Sequence, residues 1–106
     1  MKDLEKSNEL IILYELYSKL LTTKQKEYFE LYFFDDYSLN EIAGLKSVSR
    51  NAVYDSLVKI TSALQKFENN LQLGFKQHQR DIIYQEFENI KECVRLIKKL
   101  KKIDSD

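Results

Sequence analysis

Apolar residues recur along the chain with helical spacing, in stretches separated by short polar breaks. Leu4, Leu10 or Ile11, Leu13 or Tyr14, Tyr17, Leu20 and Leu21 predict a first helix over Asp3 to Leu21, apolar around much of its girth from Leu10 to Leu16. Such a helix is buried on more than one side, within the domain or against a second chain. Thr22 and Gln25 form a T-x-x-Q capping box that opens a second helix over Thr23 to Phe34, with Tyr28, Phe29, Leu31 and Tyr32 facing inward. Asp35-Asp36 ends it. Ser38 and Glu41 form another capping box, S-x-x-E, and Ile42, Ala43 and Leu45 give the helix that follows its apolar side. Lys46-Ser47 breaks the pattern. Val48 reads as buried, and Ser49 is a further N-cap residue. From Arg50 a new helix carries Ala52, Val53, Leu57 and Ile60 on one face. Its stripe continues through Leu64, Phe67 and Leu71 in steps of three and four, a heptad-like seam. Gly74 is a natural helix stop. A last helix runs from about 75 to 103 on Ile83, Phe87, Ile90, Val94, Ile97 and Leu100, and pairs with the preceding helix in a hairpin at Gly74.

Within this plan, Ser38 to Leu57 has the shape of a helix-turn-helix. Two short capped helices meet at a tight turn, and the small Ala43 lets them cross closely. The second helix of such a motif usually enters a DNA major groove. Two short capped helices also occur in helical domains that bind no nucleic acid.

Composition supports an all-α protein. There is no proline and only two glycines, Gly44 and Gly74, in 106 residues. The length suits one helical domain, residues 1–106, with a helix-turn-helix core over about 22–60. Seven Tyr and six Phe supply core material, and oligomerisation would supplement a core this small. Net charge is zero, which weakens a generic case for phosphate binding. Its distribution is uneven, at −3 over residues 1–37, +1 over 38–73 and +2 over 74–106. Arg95, Lys98, Lys99, Lys101 and Lys102 make the largest basic cluster. Lysines at a helix end complement the macrodipole, which explains them more cheaply than a phosphate-binding tail.

Catalytic chemistry is missing from the pattern. His78 stands among Lys76, Gln77, Gln79 and Arg80, and reads as an exposed residue rather than a base. Cys93 reads as a packing thiol, and a single cysteine permits no intramolecular disulfide, which fits a reducing compartment. No Cys/His cluster, glycine-rich phosphate loop or G-x-S-x-G elbow occurs. No enzyme activity, cofactor or metal is therefore expected. Asp35-Asp36 is explained by solvation beside a helix start. The cluster Tyr28, Phe29, Tyr32, Phe33, Phe34 and Tyr37 could stack on bases, but helical spacing favours core. The N-terminus lacks a signal-peptide pattern, and no apolar run approaches the roughly 20 residues that span a bilayer. The expectation is a cytoplasmic protein without membrane insertion.

Residues 21–73 resemble the YlxM-like family of small bacterial proteins, with its L-T-x-K-Q…LYY…D-x-S-L-x-E-I-A…V-S-R-x-A-V-Y-D pattern. The resemblance is carried by Leu21, Thr22, Lys24, Gln25, Leu31, Tyr32, Asp36, Tyr37, Ser38, Leu39, Glu41, Ile42 and Ala43. Val48, Ser49, Arg50, Ala52, Val53, Tyr54 and Asp55 complete it. It implies a helix-turn-helix similar to region four of bacterial sigma factors, and a homodimer. It also implies a regulatory part in the signal recognition particle pathway, because the family's genes commonly neighbour those of the particle's GTPases. Gly44, Leu45 and Lys46 depart from the family pattern before the turn, and Gly44 costs a short helix on the order of 1 kcal/mol relative to Ala.

Two functions compete. One is a regulator that binds DNA or structured RNA. Its contacts would be Ser47, Ser49, Arg50, Asn51, Tyr54 and Lys59. Arg50 could pair with guanine and Asn51 with adenine, and the Ser47 and Ser49 amides could meet a phosphate at the helix N-terminus. Structured RNA would be read through phosphates and shape. Asp55 is unhelpful near phosphates. The other is a protein-binding adaptor, in which the helix-turn-helix is a structural core and a helical surface touches the particle's GTPases.

Overall fold

The protein is described for residues 4–105 by a computed structural model. Six α-helices follow one another: α1 (Asn8–Tyr17), α2 (Thr23–Phe33), α3 (Leu39–Lys46), α4 (Arg50–Leu71), α5 (Leu73–Phe87) and α6 (Lys91–Asp104). A 3-10 turn, Ser18–Leu20, follows α1, and no strand occurs among the described residues. The chain forms two compact units, Met1–Gln72 and Leu73–Asp106.

Side-chain caps set most helix starts in the first unit. The Leu10 amide donates to Ser7 Oγ at 3.3 Å, so α1 begins at Asn8 rather than near Asp3, which lies outside the described residues. Leu4 to Ser7 form a non-helical strap. Tyr32 Oη donates to the Leu4 carbonyl at 2.8 Å, and Lys6 pairs with Asp36 at 2.6 Å while lying 4.5 Å from the Tyr32 ring centroid. Both expected capping boxes form. The Thr22 amide donates to Gln25 Oε1 at 2.8 Å, and the Gln25 amide to Thr22 Oγ1 at 3.1 Å. Ser38 and Glu41 exchange the same two bonds, each at 3.0 Å.

Helix α4 is the spine of this unit. Val53, Leu57, Ile60 and Leu64 are almost wholly excluded from solvent, and α1, α2 and α3 all pack against α4. The seam weakens beyond Leu64, where Phe67 is half-buried and Leu71 exposed. Phe29 is fully buried and stacks at 4.2 Å on Tyr14 and at 4.2 Å on Phe33. Tyr28 and Tyr32 are buried too, so the aromatic cluster is core, with only Phe34 largely exposed. Full burial of one such ring contributes about 1.5–3 kcal/mol. Two tyrosine hydroxyls at the margin of this core reach carboxylates. Tyr14 donates to Glu30 at 2.5 Å and Tyr17 to Glu68 at 2.6 Å. Burial, reinforced by the Glu30 carboxylate, holds the Tyr14 hydroxyl well above the ordinary phenol range.

The second unit corrects two expectations. The single helix over 75–103 is two helices, and the stop expected at Gly74 falls at Gln72. Gln72 takes the left-handed conformation (φ 56°) and caps α4, while Gly74 lies inside α5. The break between α5 and α6 falls at Glu88-Asn89-Ile90. Ile90 is extended at the start of α6, its amide donates to the Phe87 carbonyl at 3.1 Å, and its own carbonyl accepts from Cys93 at 2.9 Å. Asn89 favours such a turn because its side chain competes with helical hydrogen bonding. The helical hairpin is therefore α5 against α6. Tyr84 and Ile97 are its buried apolar residues, Lys101 lies 5.5 Å from the Tyr84 ring centroid, and Arg80 pairs with Asp104 at 3.0 Å.

Candidate nucleic-acid interface

The turn between α3 and α4 is built from backbone hydrogen bonds. The Val48 amide donates to the Ala43 carbonyl at 3.0 Å and the Ser47 amide to Gly44 at 3.4 Å, the Schellman closure. That closure needs a left-handed residue, and Ser47 supplies it at φ 56°, ψ 44°. Two residues later Ser49 Oγ accepts from the Ala52 amide at 3.0 Å and starts α4. The helix-turn-helix is thus closed on one side by Ser47 and opened on the other by Ser49. Leu39, Ile42 and Ala43 are the buried side of α3. Leu45, expected on that side, is exposed, as are Val48 and Ala52.

The six candidate contacts do not form one patch. Ser47 is exposed, but its amide is consumed in closing α3, so it does not present an N–H to a ligand at the start of α4. Ser49 is exposed at the N-cap. Asn51 is exposed in the first turn. With 100° between successive residues, Asn51, Asp55, Lys59, Ser62 and Lys66 share the outward face of α4, opposite Val53, Leu57 and Leu64. Arg50 and Tyr54 lie on the flank that turns towards the core, and both are half-buried. The start of α4 therefore offers Asn51 most directly, with Arg50 and Tyr54 beside it.

Lys59 belongs to a different place. It lies eight residues beyond Asn51, about 12 Å along the helix axis. There it lines an open cleft of about 180 Å³ with Lys24, Gln25, Tyr28, Ser56 and Ile60. Lys24 Nζ lies 5.8 Å and Lys46 Nζ 5.9 Å from the Tyr28 ring centroid, and Lys46 also pairs with Glu27 across from α3 to α2. In the sequence Lys24 belongs only to the family resemblance, Gln25 to that resemblance and to a capping box, and Ser56 to neither. The packing of α2 on α4 brings them to Lys59, and nothing local in the sequence marks that meeting.

Among the described residues no group of His, Cys, Asp and Glu is placed to hold a metal ion, and no helix is long and apolar enough to cross a membrane. The family model described as "Putative helix-turn-helix protein, YlxM / p13 like" matches residues 4–103. A UPF0122 protein of Listeria welshimeri is 44% identical over 84 residues, covering 79% of this chain and 76% of the relative. One from Geobacillus sp. (strain WCH70) is 38% identical over 109 aligned residues, covering 95% and 99%. One from Pediococcus pentosaceus is 49% identical over 71 residues, covering 67% and 63%.

Proposed function

The chain belongs to the UPF0122 family of YlxM / p13-like helix-turn-helix proteins, and on that footing we propose that it is a non-catalytic, cytoplasmic regulator that binds nucleic acid through the start of α4. The observation that carries this reading is the exposed Asn51 in a first turn held in place by the Ser47 closure and the Ser49 cap. An asparagine there has the geometry to pair with adenine, and Arg50 beside it can reach guanine or the backbone. Ser49 sits where a phosphate meets a helix N-terminus. The neutral net charge implies modest affinity.

Fluorescence anisotropy with duplex DNA and with an RNA hairpin, at 50 and 200 mM salt, tests this function. Arg50→Ala and Asn51→Ala should each cost about 1–3 kcal/mol of binding. Absence of binding by the unaltered protein to either probe at low salt would remove the reading.

A second reading is the protein-binding adaptor acting on the signal recognition particle GTPases. It is favoured by the apolar cleft of about 280 Å³ between α5 and α6, walled by Ile83, Phe87, Leu96 and Leu100 among others. Ile82, Ile83, Leu96 and Ile103 are more than half exposed, which suits a partner surface. A second copy of the chain is the simplest occupant, and the homodimer is proposed on that ground. A monomeric mass by light scattering at micromolar concentration would exclude it. Capture of the GTPases that survives nuclease and 200 mM salt would carry the adaptor reading instead.

A further inference from the structure

The cleft between α2 and α4 does not resemble the reader surface at the start of α4. Its lining combines two lysines, a glutamine amide, a serine hydroxyl and a tyrosine over an aliphatic floor at Ile60, and no lining residue is acidic. Lys24 and Lys59 are both exposed. They come from different helices, 35 positions apart in sequence, onto one depression. Asp55 stands one turn before Lys59 on α4 but does not line the cleft. Lys46, the next cation along the same tyrosine, is already paired with Glu27. The cleft thus gathers positive charge and hydrogen-bond donors without an internal counter-ion among its lining residues.

Its position along α4 supplies the second argument. If Asn51 reaches base edges, Lys59 lies about 12 Å further along the same helix. A recognition helix meets base edges with its N-terminal residues, so for an α4 that crosses the groove, about 12 Å wide, a group at that distance lies against the sugar-phosphate wall. We propose that the Lys24–Lys59 cleft is a seat for the phosphodiester backbone, and that Lys59 acts there as a phosphate contact rather than a base reader. This rests on the nucleic-acid reading above and assigns the division of labour within it. Asn51 and Arg50 select, while the cleft positions without reading sequence. Gln25 and Ser56 donate neutral hydrogen bonds to the same phosphate.

The test uses the full chain, a duplex DNA of mixed sequence and an RNA hairpin, with affinity measured across a salt series. The probe common to both arms is the phosphodiester backbone. Loss of two phosphate contacts in Lys24→Gln/Lys59→Gln should flatten the slope of log affinity against log salt by about 1.8 on duplex DNA. The fall in affinity between 50 and 200 mM salt then shrinks by about tenfold. The loss should be equal across duplexes of different sequence, whereas Asn51→Ala should change their ranking and leave the slope in place. A slope lost on one probe alone assigns the seat to that nucleic acid. Both lysines are exposed, and circular dichroism matching the unaltered protein excludes a folding defect. A slope in the double variant within about half a unit of the unaltered protein on both probes would overturn this inference and leave the function of α4 standing. Failure of the unaltered protein to bind either probe would overturn both.

Discussion

Helix α3 carries its glycine three residues too early. Gly44 sits in the helical interior, where glycine is costly, while the left-handed residue that closes the helix is Ser47. A Cβ built at Gly44 meets nothing within 4 Å, so alanine enters without strain and recovers about 1 kcal/mol of helix propensity. At Ser47 glycine removes a left-handed penalty of about 1–2 kcal/mol, offset by about 0.4–1 kcal/mol of extra entropy in the unfolded chain. The exchange Gly44→Ala/Ser47→Gly should therefore stabilise the first unit by about 1–2.5 kcal/mol. Urea unfolding followed by circular dichroism should show the midpoint rising by about 1 M at unchanged slope, for a slope of about 1–2 kcal/mol/M. The two changes share a hydrogen bond, from the Ser47 amide to the Gly44 carbonyl, so their sum is checked by making each singly. A midpoint that stays or falls in Gly44→Ala would refute the reasoning, because no steric objection to that methyl exists.

Three further outcomes follow from the same packing. Phe29→Ala removes a fully buried ring stacked on both faces and should cost about 3–5 kcal/mol, read as loss of the cooperative thermal transition or a steep fall in its midpoint. Tyr17→Phe deletes the hydroxyl that donates to Glu68 and should cost about 1–2 kcal/mol in urea titration, with the helical spectrum retained. Tyr14 has its hydroxyl pKa raised in the folded state, so the folded chain holds a proton that the unfolded chain releases. That stabilisation is complete below the ordinary tyrosine range and is lost as pH climbs above about 10. Tyr14→Phe should therefore show a flatter decline in stability across that alkaline window.

Three helix starts were legible in the sequence because capping is local. Thr22 with Gln25, Ser38 with Glu41, and Ser49 each satisfy amides within three residues, so no tertiary information is required. The core stripe of α4 was legible as far as Leu64 for a similar reason, since period and burial agree there. The break at 88–90 was not legible. Phe87, Ile90 and Val94 keep the steps of three and four straight through it, so the apolar phase carries no trace of the turn. The helix start at Ser7 was missed because Leu4 belongs to the same apolar stripe yet packs as part of a strap. Ser47 was read as a break, but not as a left-handed closure, because the obvious glycine nearby is Gly44. At the candidate interface, periodicity separated Asn51 from the core. It could not place Lys59 beside Lys24, because that proximity is made by α2 packing on α4.

Helix α4 runs unbroken for 22 residues, about 33 Å, with its first turn at the candidate ligand and its last turns hydrogen-bonded to α1. Taken as a rigid rod pivoting near its buried midpoint at Ile60, it couples its two ends. Asn51 and Glu68 stand on opposite arms of similar length, roughly 12–14 Å. A ligand that drew Asn51 outward by about 1 Å would swing Glu68 by about the same amount the other way, a tilt of about 5°. The 2.6 Å bond between Tyr17 and Glu68 would then be displaced from its present geometry by up to about 1 Å. A load taken up at the first turn of α4 would thus be borne in part at the other end of the helix, by the tyrosine of α1.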